Sequence, residues 1–273
     1  MKRIIVPVNF SEVSLDALEF ALSVANAMNY HLRLLSVINS GSSFFFWRPS
    51  KTSDEAEIKA KIENFIAKNQ EHYTVEGGVL DYELVHGSTI KTLIKSITNP
   101  DSKTYAVVVG INTEEETNSE TFSIITEMSV PIITWRKGFE HKPITSILLP
   151  IDTKQSSRQK VPFVTGFARR VGAKIEVLGC ADTEDLPSIR RMITVHVEQT
   201  IDFIKQNDVE CEAHYKFGAP VGISTVEYAN SLKVDAVAMM TDTAEDPMEM
   251  FTTTDTEHIL NNSKRPVICI HPV

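Results

Sequence analysis

Apolar positions recur along the chain in two rhythms that alternate. Short continuous runs, such as Ile4-Ile5-Val6 and Ala106-Val107-Val108-Val109, suit strands buried on both faces. Between them stand longer stretches with apolar residues three and four apart, the spacing of one helical face. Leu15, Leu18, Leu22, Ala25 and Met28 form such a face after the first run. The two rhythms then repeat as a block. Ile4-Ile5-Val6-Pro7-Val8-Asn9 returns 143 positions later as Ile147-Leu148-Leu149-Pro150-Ile151-Asp152, and each copy passes through a Ser/Thr-rich turn into a helix. Val161, Val164, Phe167, Ala168 and Val171 repeat the first helical face.

Each copy continues alike. Strands are predicted over His31–Ile38 and Ala173–Cys180, helices over Glu55–Asn69 and Arg190–Gln206, and more polar, alternating strands over Asp81–Val85 and Glu210–Tyr215. A turn and a further helix lead to Ala106–Gly110 and Ala236–Met240, and each copy closes on a strand entered through proline, Val130–Trp135 and Arg265–Ile270. Strands alternating with helices imply right-handed crossovers, so the expected fold is α/β, with two doubly wound parallel sheets of five strands. The boundaries are placed at 1–137 and 144–273, joined by the short polar stretch Lys137–Pro143, which keeps the two lobes at high effective concentration.

Composition narrows the classes. Of 273 residues, 42% are hydrophobic and 23% charged, enough apolar material for two cores. No apolar run long enough to span a bilayer and no signal-peptide pattern stands in the sequence, so a cytoplasmic location without membrane contact is expected. The 36 acidic residues outnumber the 27 basic ones, giving a net charge of −9, which disfavours nucleic acid as a partner. Cys180, Cys211 and Cys269 form no CxxC pair. Cys180 and Cys211 are read as small core residues, with redox sensing the alternative that the lack of a flanking basic residue disfavours. No nucleophile elbow, P-loop, Rossmann fingerprint or zincin helix is present, so no catalytic residue is assigned. His196 and Glu198 point to different helical faces. Glu212 and His214 share a strand face but could ligate a metal only with residues from elsewhere, and no metal site is assigned.

With strand-end Asp152 and Gly110, the helices that follow, and the closing runs Pro131-Ile132-Ile133 and Pro266-Val267-Ile268, the chain resembles the universal stress proteins in their tandem form. The resemblance spans the whole chain twice. It implies a Rossmann-like fold akin to the adenine nucleotide alpha hydrolases, with the two copies related by a pseudo-two-fold axis and paired through their closing strands within one chain. It also implies, in many members, ATP held by a loop of form Gly, two residues, Gly, nine residues, Gly-Ser/Thr, because glycine lets backbone N–H groups approach phosphate. On that pattern the second copy places Met240, Thr243, Thr253 and Thr254, with the spacing intact and every glycine replaced, in a stretch beginning at Thr241. The first copy keeps Gly110 and ends at Asn118-Ser119, but its loop is shorter by five residues. The acidic strand end is Asp152 in the second copy and Asn9 in the first.

Candidate, degenerate ligand positions are therefore Asp152, Thr241, Thr243, Thr253 and Thr254 in the second copy and Asn9, Gly110 and Ser119 in the first. The stretch from Thr241 to Asp255 also carries five acids and no Lys or Arg, which opposes an anionic triphosphate within a Debye length of roughly 8 Å. The expectation is a non-enzymatic module that senses a small ligand or binds a protein partner, with no required cofactor. The alternative is ATP binding, with weak ATPase activity, through the second copy. The run Phe44-Phe45-Phe46-Trp47 follows a strand end and is read as a lid, a lobe contact or a homodimer patch, or else as a loop folded onto its own lobe.

Overall fold

The structure is a computed structural model that describes residues 1–38, 55–87, 89–111, 124, 125, 127–182, 186–241 and 255–272. Candidate positions Thr243, Thr253, Thr254 and Ser119, and the aromatic run Phe44–Trp47, lie outside the described residues. The chain divides into two compact units, Met1–Gly138 and Phe139–Val273.

The first unit runs β1 (Arg3–Pro7), α1 (Glu12–Met28), β2 (His31–Ile38), α2 (Glu55–Asn69), β3 (Leu80–His86), α3 (Thr89–Thr98), β4 (Thr104–Ile111) and β5 (Ile132–Arg136). Its strands lie in the order β3-β2-β1-β4-β5, every neighbouring pair parallel. The second unit runs β6 (Ser146–Ile151), α4 (Val161–Val171), β7 (Lys174–Ala181), α5 (Pro187–Gln206), β8 (Cys211–Phe217), α6 (Val221–Ser231), β9 (Ala236–Met240), α7 (Asp255–Asn262) and β10 (Val267–Ile270). Its order, β8-β7-β6-β9-β10, again all parallel, is the same winding. Two five-stranded, doubly wound parallel sheets are thus the fold of this chain. In the second unit α4 touches α5 and α6 touches α7. The crossover direction reverses after β8, so right-handed connections put the first pair on one face and the second pair on the other.

The apolar rhythms bury as their spacing requires. Leu18, Leu22, Ala25 and Met28 of α1 are buried, as are Val161, Val164, Phe167 and Ala168 of α4, while Leu15 and Val171 at the margins are half-buried. All six residues of β6 are buried, which is why that strand reads as a continuous apolar run. Helix ends follow local chemistry: Ser11 caps α1 by accepting the Ser14 N–H, and Gly172 ends α4 at φ 74°, a left-handed conformation that suits glycine.

Proline shapes the edge where the strand order reverses. The ladder from β1 to β4 stops at Ile5 and that from β6 to β9 stops at Leu148, two residues before Pro7 and Pro150. A residue without an N–H cannot continue the ladder, so the two central strands part at their carboxyl ends. A crevice opens there.

Candidate functional site

In the second unit that crevice is a cavity of about 520 Å³, lined among others by Asp152, Lys154, Ser157, Lys160, Met240, Thr241 and Asp255. It sits beyond the carboxyl ends of β6 and β9, the switch point of the sheet, where open α/β folds take their ligands. Asp152 follows β6 directly and is pinned by its turn: Oδ1 accepts the Lys154 N–H at 2.8 Å, and the Asp152 N–H donates to Ser157 Oγ at 3.2 Å. Asn9 of the first unit does the same job after β1, its Oδ1 accepting the Ser11 N–H at 3.0 Å and the Ser11 hydroxyl at 2.7 Å. The Asn/Asp at this strand end is a turn former in both units, and its short side chain suits that role.

Lys160 is the cation that spacing alone did not single out. It is only 2% exposed, and its Nζ donates to the Ser157 carbonyl at 2.5 Å and to Ser157 Oγ at 3.2 Å. A buried ammonium needs polar partners or an anion to offset its lost hydration. Lys154 lines the same cavity. Both lysines come from the turn between β6 and α4, Thr153-Lys154-Gln155-Ser156-Ser157-Arg158-Gln159-Lys160, a stretch whose basic and hydroxyl content was the available signal.

Asp255, at the start of α7, has its Oδ1 2.6 Å from the Gly222 N–H in the first turn of α6. A Cβ on Gly222 would come within 2.9 Å of that oxygen, so glycine permits the contact. The carboxylate thus takes a helix N-terminal donor of the kind an anionic ligand would seek. Thr241 is 2% exposed and donates its N–H to the Ile270 carbonyl at 2.8 Å, tying the end of β9 to that of β10. His196 of α5 reaches the rim, its Nδ1 3.5 Å from the Asp152 carbonyl. Cys180 is buried behind the site, and burial, with Asp152 adding to it, pushes its thiol up to about 12, so it is a core residue and not a nucleophile.

The candidates therefore separate. Asp152 and Thr241 come together on the cavity. At Gly110 in the first unit a Cβ would lie 2.7 Å from the Val13 carbonyl, so the glycine makes room for the first turn of α1. Among the described residues the cavity sets Lys154 and Lys160 beside Asp152 and Asp255, and the other four acids of the 241–255 stretch lie outside the described residues.

Residues 1–99 match the family model described as the universal stress protein family. The first unit belongs to that family. The tandem layout has solved counterparts. A universal stress protein of Archaeoglobus fulgidus aligns over 98% of this chain and 98% of its own, with a TM-score of 0.75 at 16% identity. A structure of the same description from Pseudomonas aeruginosa covers 100% of this chain and 94% of its own, with a TM-score of 0.65 at 13% identity. At these identities the likeness is one of fold, and it extends the universal stress protein architecture across both units. No curated protein sequence matches the chain.

Proposed function

We propose that this chain is a non-enzymatic stress-response protein that senses a small ligand or presents a protein-binding surface, with the ligand held in the cavity of the second unit. The observation that carries this reading is the cavity itself, with buried Lys160 and strand-end Asp152 at the switch point of the sheet. Nucleotide binds there weakly at best. Met240 and Thr253 stand where glycines would let backbone approach phosphate, and Asp255 already holds the Gly222 N–H. Losing a few charge-assisted contacts, each roughly 1.5–3 kcal/mol, moves a micromolar site toward millimolar.

One observation favours a second reading, ATP binding with weak ATPase activity: Lys154 and Lys160 supply positive charge beside Asp152. Titration calorimetry of the full chain with magnesium ATP, run beside a phosphate-release assay, separates the two. The first reading expects a dissociation constant weaker than about 10 μM, roughly −7 kcal/mol, and no phosphate release. Tighter binding that Lys160→Met weakens, with release that Asp152→Asn abolishes, supports the second. Mass spectrometry of small molecules that co-purify with the protein would then name the sensed ligand.

We further propose that β5 and β10 pair antiparallel within one chain, since such pairing removes two exposed sheet edges, and that Phe45, Phe46 and Trp47 serve association, including a homodimer. Cleavage between residues 137 and 143 tests the pairing: paired units co-elute at micromolar concentration, and separate elution refutes it. Serine at the three aromatic positions should lower the oligomeric mass in light scattering. A cytoplasmic setting fits, as no helix among the described residues is long and apolar enough to cross a membrane.

A further inference from the structure

The same place in each unit carries a charged cross-strand cluster, and the two clusters are built oppositely. In the first unit Arg33 of β2 stands in register with Asp81 of β3. Its guanidinium bonds both Asp81 oxygens, at 2.8 and 2.5 Å, and Glu83 Oε2 at 3.0 Å. A fixed cation thus bridges two carboxylates on the edge strand.

Register identifies the corresponding residues of the second unit. Ile5 of β1 pairs with Arg33, and its counterpart Leu148 of β6 pairs with Glu176. Glu176 pairs in turn with Glu212 and Leu178 with His214, so Glu176, Glu212 and His214 share one face of β7 and β8. Glu176 therefore has the place of Arg33, Glu212 that of Asp81, and His214 that of Glu83. Two carboxylates and an imidazole meet where the first unit has two carboxylates and a guanidinium. Glu176 Oε2 lies 2.8 Å from His214 Nε2, and Lys174 Nζ holds Oε1 at 2.5 Å. One ligand atom from each of the three residues falls within 4.8 Å of the others. The side chain of Glu176 is 5% exposed and that of His214 is 18% exposed, whereas Glu212 faces solvent.

We propose that Glu176, Glu212 and His214 bind a zinc-class divalent cation, which takes in the second unit the position that the Arg33 guanidinium holds in the first. This site is independent of the cavity at the carboxyl edge. Zinc bonds imidazole nitrogen and carboxylate oxygen at roughly 2.0–2.2 Å, which places tetrahedral ligand atoms about 3.4 Å apart. The His214 and Glu176 contact opens by about half an ångström to admit the ion. Exposed Glu212 swings in as the third ligand, and water fills the fourth position. An imidazole ligand favours zinc, cobalt or nickel over calcium and magnesium. Lys174 stays on the other oxygen of Glu176 and orients the ligating carboxylate, as outer partners do in metal sites. With neutral histidine, two carboxylates and one ammonium leave the cluster one charge negative, which a dication offsets.

The test uses the full chain stripped with a chelator and titrated with zinc chloride by calorimetry, and with cobalt(II) followed by visible absorption. One saturable site is expected in the wild type. His214→Gln should weaken it at least about a hundredfold, and Glu212→Gln, a change at an exposed residue that leaves the metal-free thermal midpoint in place, at least about tenfold. Glu83→Gln, at the matching position of the first unit, should leave the affinity unchanged. Absence of saturable zinc binding overturns the proposal, and so does unchanged affinity in either His214→Gln or Glu212→Gln, since a site elsewhere on the chain would then hold the ion.

Discussion

The two units share one strand order and fill equivalent positions with different chemistry. At the start of the central strands, Lys2 in the first unit lies 4.9 Å from the centroid of the Tyr105 ring, and Tyr105 meets Tyr30 edge-on at 4.9 Å. In the second unit the same junction is polar. One oxygen of Asp235 accepts the Thr145 N–H and hydroxyl at 2.9 and 2.7 Å and the Ser146 N–H at 3.1 Å, and the other pairs with Lys142 at 2.9 Å. At the end of β4 the first unit needs glycine against Val13, whereas the end of β9 accommodates Met240. Apolar periodicity sets the winding, and each polar position can be refilled as long as every buried group keeps partners.

The sharpest way to break this equivalence is Asp235→Ala. It strands the N–H and hydroxyl of buried Ser146, takes the acceptor from exposed Thr145 and removes the partner of half-exposed Lys142, so the second unit should lose about 2–4 kcal/mol in denaturant unfolding. Tyr105→Ala, at the matching place, removes ring packing and the contact with Lys2, whose ammonium is exposed to water. Equal losses from the two changes would show that the carboxylate network is ordinary packing.

Acid should act on the second unit in the same direction. Burial pushes the carboxyls of Glu176 and Asp235 up, but hydrogen bonds outweigh it, from Lys174 and His214 in one case and from Thr145 and Lys142 in the other, and both end below their ordinary values. A depressed folded value means the stabilisation is present above the unfolded values of 4.5 and 3.8 and is lost as pH falls through the folded ones. Both tryptophans, Trp47 and Trp135, belong to the first unit. On titration below about pH 4.5, far-ultraviolet circular dichroism should therefore begin to fall before tryptophan fluorescence changes. Coincident transitions would refute a selective acid response.

Gly110→Ala sharpens the contrast at the strand ends. The added Cβ meets the Val13 backbone at 2.7 Å, and overpacking of this kind costs about 1–3 kcal/mol. Met240→Ala should leave α4 and β6 undisturbed and show only the loss of a half-exposed side chain. The smallest effect is expected at Ser11→Ala, which removes the cap of α1 for about 0.5–1 kcal/mol, because the Ser14 N–H to Ser11 Oγ contact is long at 3.3 Å. Helix α4 has no side-chain cap to lose. Thermal midpoints of the five variants, ranked against one another, check the order.

Much of this fold is legible in the sequence. Strand and helix identity, the duplication and the sheet winding all follow from apolar spacing within about twenty residues, because burial of one helical face or of both strand faces is a local signature of a nonlocal core. Asp152 was legible too, as an acid closing an apolar strand. Lys160 was not, since a lysine in a turn reads as solvated until the crossover carries it under the crevice, where it is 2% exposed. Asp255 meets Gly222 across 33 positions, and Glu176 meets His214 across 38. No periodicity links such pairs. They meet because parallel strands bring distant segments into register and the parting of β6 from β9 leaves a space between them. Sequence by itself determined which residues had to be buried and in what winding, and tertiary structure alone decided which charges face one another.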